Sequence, residues 1–225
     1  MSSRRIDAIY VVTDGPAPQR HEAVAAAAVA GGASCAQLRE KNLTDLQLLA
    51  VARALRRLTQ DTETALIVND RLDIALASGA DGVHLGQEDL PVSEARRLLG
   101  PGAVIGVSTG CVEEAAKAEA DGASYVAVGP VFPTVTKADA GPAVGLELIR
   151  QVKQAVSIPV VAIGGISVAN IGFVAAAGAD AAAVVSAVAE APDMARAVRA
   201  LARAFAAGRT PEASQISRSG KRSQR

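Results

Sequence analysis

The sequence predicts an α/β fold, a (β/α)8 TIM barrel in a single domain. Three observations lead there. Eight short apolar runs, rich in Val, Ile, Leu and Ala, lack the polar alternation of a solvated sheet, as strands buried on both faces do. A segment with helical composition and end signals follows each run. Helix stops then repeat as Gly79-Ala80-Asp81, Gly122-Ala123-Ser124 and Gly178-Ala179-Asp180, where glycine suits the left-handed cap before the chain re-enters the sheet. Strict alternation over this length favours the barrel. An open doubly wound sheet is the alternative. It would carry a glycine fingerprint in its first strand-to-helix turn, where this chain has Thr13-Asp14-Gly15-Pro16.

The elements follow in order. A β-branched run predicts a strand over 6–12, and Ala-rich sequence a helix over 21–30, closed by Gly31-Gly32. The next strand spans 33–38, and Thr44 or Asp45 can cap a helix running to about Thr59. A strand over 65–68 ends in Asn69-Asp70-Arg71, and a helix over 72–77 stops at Ser78-Gly79. Residues 82–85 form a strand ending in Gly86-Gln87-Glu88-Asp89, before a helix over 93–99 that Gly100-Pro101-Gly102 closes. The strand over 104–107 ends in Ser108-Thr109-Gly110 and leads to a helix over 112–120. The strand over 125–128 stops at Gly129-Pro130, and its helix spans 146–156. Strand 159–163 ends in Gly164-Gly165 and precedes a helix over 168–177. Strand 180–185 ends in Ser186, and an amphipathic helix over 192–207 closes the domain.

Composition narrows the function. Half of the 225 residues are hydrophobic but only 2% are aromatic, so Ala, Val, Leu and Ile must build the core. Zero formal net charge points to no nucleic-acid and no membrane partner. Cys35 and Cys111 fit neither a metal spacing nor a disulfide framework. The first apolar run is broken too early for a secretory signal, and none approaches a membrane span, so a cytoplasmic location is expected. From Gly208 to Arg225 the chain turns to Ser, Arg, Lys, Gln and Gly. The expected division is a barrel over 1–207 and a disordered basic tail over 208–225. The oligomeric state is left open, a homo-oligomer included.

Barrel chemistry collects on the loops after the strands. Gln37, Arg39 and Lys41 share one side of an extended segment, so two cations and an amide can meet a diphosphate there. Asp70 and Asp89 end consecutive strands, and two carboxylates beside such cations suit Mg2+ held with substrate phosphate. Each could instead cap a helix. His84 is assigned to the packing of the barrel. Ser108 ends the fifth strand. Thr134, Thr136 and Lys137 offer two hydroxyls and an ammonium after Gly129-Pro130. Gly164-Gly165 and Val185-Ser186 lie where late barrel loops bind phosphate through backbone N–H groups. With no dominant nucleophile or acid–base pair, loss of diphosphate fits best, since charge stabilisation is most of what it needs.

At these residues the chain resembles the thiamine-phosphate synthase family. The matching motifs are QLREK (37–41), VND (68–70), DGVHLGQEDLP (81–91), IGVST (105–109), VGPVFPTVTK (128–137), AIGGI (162–166) and AVVSA (183–187). The resemblance implies a Mg2+-dependent transferase of thiamine biosynthesis. It would join hydroxymethylpyrimidine diphosphate to hydroxyethylthiazole phosphate through a dissociative, cation-like stage. It implies that Gln37, Leu38, Arg39, Glu40, Lys41, Asn69, Ser108 and Lys137 hold the pyrimidine diphosphate, with Arg39, Lys41, Ser108 and Lys137 acting in catalysis. Asp70 and Asp89 would bind Mg2+. Thr134, Val135, Thr136, Gly165, Val185 and Ser186 would hold the thiazole phosphate. The family often has histidine where this chain has Gly110. A related thiazole tautomerase shares the fold, and a non-catalytic binder of thiamine intermediates is a further alternative. Asp89 and Thr136 favour the synthase over the tautomerase, and the retained Asp70 and Asp89 disfavour the binder.

Overall fold

The computed structural model describes residues 6–15, 17–134, 136 and 141–209. Its strands are β1 (Ala8–Thr13), β2 (Cys35–Leu38), β3 (Ala65–Asn69), β4 (Gly82–Leu85), β5 (Val104–Thr109), β6 (Tyr125–Val128), β7 (Val160–Ile163) and β8 (Ala181–Val184). They pair in chain order, all parallel, and β8 pairs back onto β1 to close the barrel. Around them lie α1 (Pro18–Gly31), α2 (Asp45–Thr59), α3 (Leu72–Ser78), α4 (Val92–Leu99), α5 (Val112–Ala120), α6 (Gly145–Ala155), α7 (Ile171–Ala176), α8 (Ser186–Ala189) and α9 (Met194–Gly208).

Alternation along each strand divides the core in two. Ile9, Val11, Leu66, Val68, Val126 and Val128 point outward and pack under the helices. Tyr10, Val12, Ala65, Ile67, Tyr125 and Ala127 point inward and fill the ring. Small inward residues are needed because the ring also holds two tyrosines, both buried. Gly106 sits beside Tyr125 in the β5–β6 register. A Cβ there would lie 1.9 Å from Tyr125 Cζ, so only glycine leaves the ring its space.

The repeated helix stops do more than end helices. Asp81 Oδ2 accepts the Leu66 N–H at 2.8 Å and Arg56 Nη1 at 3.0 Å. Ser124 Oγ accepts the Ile105 N–H and Arg96 Nη2, both at 3.0 Å. Asp180 Oδ2 accepts the Val160 N–H at 2.8 Å and Lys153 Nζ at 2.6 Å. Each side chain thus satisfies a backbone N–H near the start of the preceding strand and ties it to a cation from a neighbouring helix. The clamps secure the end of the barrel opposite the functional loops.

Expected and observed bounds agree at β4, β6 and α5. At α2, Thr44 and Gln47 form a capping box. The strand β5 runs two residues further than expected and takes in Ser108. Helix α7 starts at Ile171, later than expected, because Asn170 first closes a turn by accepting the Ser167 N–H at 2.8 Å. The short α8 was not expected. Helix α9 includes Gly208, one residue past the expected end, and Arg209 Nη2 donates to Asp7 Oδ1 at 2.8 Å while its guanidinium lies 4.8 Å from the Phe205 ring centroid. Residues 210–225 lie outside the described residues. Among the described residues, no helix is long and apolar enough to cross a membrane.

The packing around Tyr125 makes a prediction. Gly106→Ala should destabilise the protein by about 1–3 kcal/mol, as overpacked cores do, measured by urea denaturation. Undiminished stability would mean that the tyrosine is not confined by its neighbours.

Candidate active site

The mouth lies at the carboxyl ends of the strands. On its β2 side, Thr13 registers with Leu38, which brings Asp14 beside Arg39. Arg39 Nη1 donates to Asp14 Oδ2 at 3.0 Å. Asp14 escapes the motifs discussed above, yet its position one residue past β1 could have marked it. Lys41 is more open, with Nζ 4.0 Å from Asp70 Oδ2.

Two members of the QLREK segment turn elsewhere. The Leu38 side chain faces the helix layer, because strand parity sends it opposite to Gln37. Glu40 accepts the Asn42 N–H at 2.6 Å through Oε1. Its Oε2 lies 3.4 Å from the buried His21 Nε2. The other ring nitrogen of His21 is 2.7 Å from Thr13 Oγ1. Glu40 therefore braces its own loop through the Asn42 N–H, while His21 Nε2 makes no hydrogen bond among the described residues.

Asp70 and Asp89 form the acidic side. Neither caps a helix, since Arg71 and Pro91 hold the cap positions of α3 and α4 without side-chain bonds. Asp70 has φ 61°, a left-handed conformation that Asp tolerates better than most residues. Asp89 Oδ2 accepts the Gly86 N–H at 2.6 Å and so closes its own turn. Burial, with the hydrogen bond and charge of Asp89, raises the Asp70 carboxyl to about 6 despite Lys41 and Arg39. Among the described residues, no three His, Cys, Asp or Glu groups converge as in a closed metal cage. Two carboxylates and nothing softer are an oxygen donor set that fits Mg2+, which binds through one or two carboxylates plus phosphate and water.

The inward parity of the strands carries further polar groups upward. Asn69 ends β3 beside His84 in register. Gln37 Nε2 donates to Tyr10 Oη at 2.6 Å, and the Tyr10 and Tyr125 hydroxyls are 2.8 Å apart. His84 Nδ1 lies 3.0 Å from Tyr125 Oη, and its Nε2 lies 2.9 Å from Ser108 Oγ. Gln87 Nε2 donates to the Ser108 carbonyl. Burial lowers the His84 imidazole to about 4, so the ring is neutral near pH 7. Residue-by-residue reading missed Tyr10, Tyr125 and His84 as polar machinery. The signal was a hydroxyl or imidazole set at inward positions of otherwise aliphatic strands.

On the far side, the loop after β6 is zipped to the loop after β7. Val131 N–H donates to the Ile163 carbonyl at 2.8 Å, and Phe132 N–H to that of Gly164 at 3.1 Å. Gly165 has φ 63°, and a Cβ there would lie 2.5 Å from the Pro133 carbonyl oxygen. Thr134 Oγ1 accepts the Thr136 N–H at 3.2 Å. Val185 packs against the barrel interior, and Ser186 opens α8. Val135 and Lys137 lie outside the described residues. Gly110 gives its N–H to Glu114 Oε2 at 2.6 Å and offers the mouth no side chain.

Comparisons with known proteins point to one family. The family described as thiamine monophosphate synthase matches residues 9–188. A thiamine-phosphate synthase of Methanoculleus marisnigri is 52% identical over 171 residues, 75% of this chain and 81% of its own. One from Moorella thermoacetica is 55% identical over 150 residues, 67% of this chain and 71% of its own. The solved thiamine phosphate pyrophosphorylase from Pyrococcus furiosus superposes with a TM-score of 0.81 at 39% identity, covering 91% of this chain and 98% of that one.

The acidic pair has a measurable consequence. An Asp70 carboxyl raised to about 6 means that the folded protein binds this proton more tightly than the unfolded chain. Its contribution therefore costs stability as pH rises from about 4 to about 6, and the cost persists above that. Without divalent cations, Asp70→Asn should raise Tm by roughly 2–4 °C at about pH 8 and leave it nearly unchanged at about pH 4. A lower Tm at the higher pH would show that Asp70 is held by net attraction.

Proposed function

The chain belongs to the thiamine monophosphate synthase family and carries thiamine-phosphate synthase activity, and we propose that it performs this transfer by a dissociative, Mg2+-assisted route at the barrel mouth. Hydroxymethylpyrimidine diphosphate loses its diphosphate, and the thiazole nitrogen of hydroxyethylthiazole phosphate takes the freed methylene carbon. The products are thiamine phosphate and diphosphate. The observation that carries this reading is the meeting of Arg39 and Lys41 with Asp70 and Asp89 in one mouth, Lys41 Nζ lying 4.0 Å from Asp70 Oδ2.

Each residue has a part in this account. Arg39, kept in place by Asp14, and Lys41 donate to the departing diphosphate and stabilise its charge. Asp70 and Asp89 would hold Mg2+, which when bound supplies positive charge against the same leaving group. Ser108, Asn69 and Gln37 hold the pyrimidine diphosphate, and Lys137 joins Ser108, Arg39 and Lys41 at the leaving oxygens. Leu38 and Glu40 contribute through the main chain, since their side chains are engaged elsewhere. Thr134, Val135, Thr136, Gly165, Val185 and Ser186 receive the phosphate of the thiazole, with Gly165 letting the backbone approach. No side chain needs to form a covalent bond. Positioning and electrostatics supply the rate. We also place the enzyme in the cytoplasm, a reading supported by two free cysteines.

The test is a coupling assay with both substrates while Mg2+ is titrated. Asp89→Ala should lower Mg2+-dependent turnover by about 100-fold or more, with thermal unfolding still cooperative. Turnover unchanged in Asp89→Ala would remove the metal assignment from this residue. Lys137→Ala should depress kcat more than it raises KM for the thiazole phosphate. Equal losses would move Lys137 away from the leaving group.

A further inference from the structure

We propose that Tyr10, Tyr125 and His84 are positioning residues for this transfer. They form a one-way hydrogen-bond relay across the barrel that leaves Gln37 offering a carbonyl oxygen, and Ser108 a hydroxyl proton, to the pyrimidine substrate. The substrate in this statement rests on the synthase reading above. The relay itself rests on geometry.

The proposed direction is one that donor and acceptor counting allows, with each hydroxyl passing one proton onward. An amide nitrogen can only donate, and Gln37 Nε2 donates to Tyr10 Oη at 2.6 Å. In the proposed direction Tyr10 gives its own proton to Tyr125 Oη, 2.8 Å away, in preference to the neighbouring Cys35 thiol. Tyr125, having accepted from Tyr10, donates to His84 Nδ1 at 3.0 Å. In this direction that nitrogen is bare, and the imidazole proton sits on Nε2 and is donated to Ser108 Oγ at 2.9 Å. Ser108 has one acceptor position filled and its proton free to point into the mouth. Gln37 has spent an amide proton inward and keeps its carbonyl oxygen for a donor on the ligand.

Burial keeps the relay uncharged. It pushes the hydroxyls of Tyr10 and Tyr125, and the thiol of the neighbouring Cys35, well above their ordinary values. The His84 ring is held by more than its hydrogen bonds, since it stacks on Tyr125 with centroids 5.7 Å apart and 25° between planes. Tyr10 meets Tyr125 edge-on at 5.8 Å. Neither hydroxyl can be dropped without leaving a buried polar partner unmatched. A Gln37 amide turned by half a rotation would reverse every step, put the imidazole proton on Nδ1, and leave Ser108 with only lone pairs toward the ligand. Lone pairs repel a diphosphate, whereas an O–H donates to it. A binding site for an anion therefore selects the forward direction.

The experiment is nitrogen NMR on the whole chain labelled with 15N-histidine. The chain has two histidines, and His84→Asn assigns the signals by their loss. The expected result is a neutral His84 ring protonated on Nε2 from about pH 6 to about pH 8. A proton on Nδ1, or a charged ring in that range, overturns the relay. In Tyr125→Phe, which keeps the ring and removes the hydroxyl, the tautomer should become mixed. The kcat should fall about tenfold, the scale of one misdirected hydrogen bond, with KM for the thiazole phosphate unchanged. An unchanged kcat in that variant overturns the positioning role, whatever the tautomer does. The NMR result is independent of turnover, so absent coupling by the wild-type chain would count against the synthase reading alone.

Discussion

Closing eight parallel strands into a ring is the constraint on which the rest of the molecule depends. It sends alternate residues inward and leaves them little room. Two tyrosines fit there because Gly106 gives way to one of them and alanines such as Ala65 and Ala127 surround both. The same parity carries Gln37, Asn69, His84 and Ser108 to the upper levels of the ring, from β2, β3, β4 and β5. Clamps from Asp81, Ser124 and Asp180 hold the opposite end, so the stabilising polar contacts and the functional ones occupy different rims.

At the mouth, charge is arranged before any substrate arrives. Arg39 is aimed by Asp14, and Glu40 braces the same loop by accepting the Asn42 N–H. Burial, together with the hydrogen bond and charge of Asp89, raises the Asp70 carboxyl to about 6. Such a site is strained toward a cation on one side and an anion on the other. In the route proposed above, a magnesium–diphosphate pair would satisfy both together.

Much of this was legible in the chain. Apolar runs without alternation gave the ring, and of Thr44 and Asp45, the two caps open for α2, the structure uses Thr44. The motif residues at the strand ends do gather at one rim, within the described residues. What escaped was side-chain direction and partnership. The glutamate of QLREK reads as a ligand, yet Glu40 turns to a histidine from α1 that is remote in sequence. Asp14 looks like a turn residue until the β1–β2 register sets it beside Arg39. His84 reads as packing, and it does pack, but both ring nitrogens also face hydroxyls that only barrel closure brings near. Arg209 reads as tail because its composition is polar, while its stacking on Phe205 belongs to the helix before it. Local pattern specifies elements, and long-range register decides what their side chains meet.

The most direct test of the central claim, a shared magnesium–diphosphate site between Asp70, Asp89, Arg39 and Lys41, is calorimetric titration of the wild-type chain with Mg2+ in the presence and absence of inorganic diphosphate. The account predicts weak binding of the cation alone and at least about tenfold tighter binding when diphosphate is present, since each ligand relieves the charge that the other leaves uncompensated. Equal affinity for Mg2+ under both conditions would contradict it and separate the carboxylates from the leaving group.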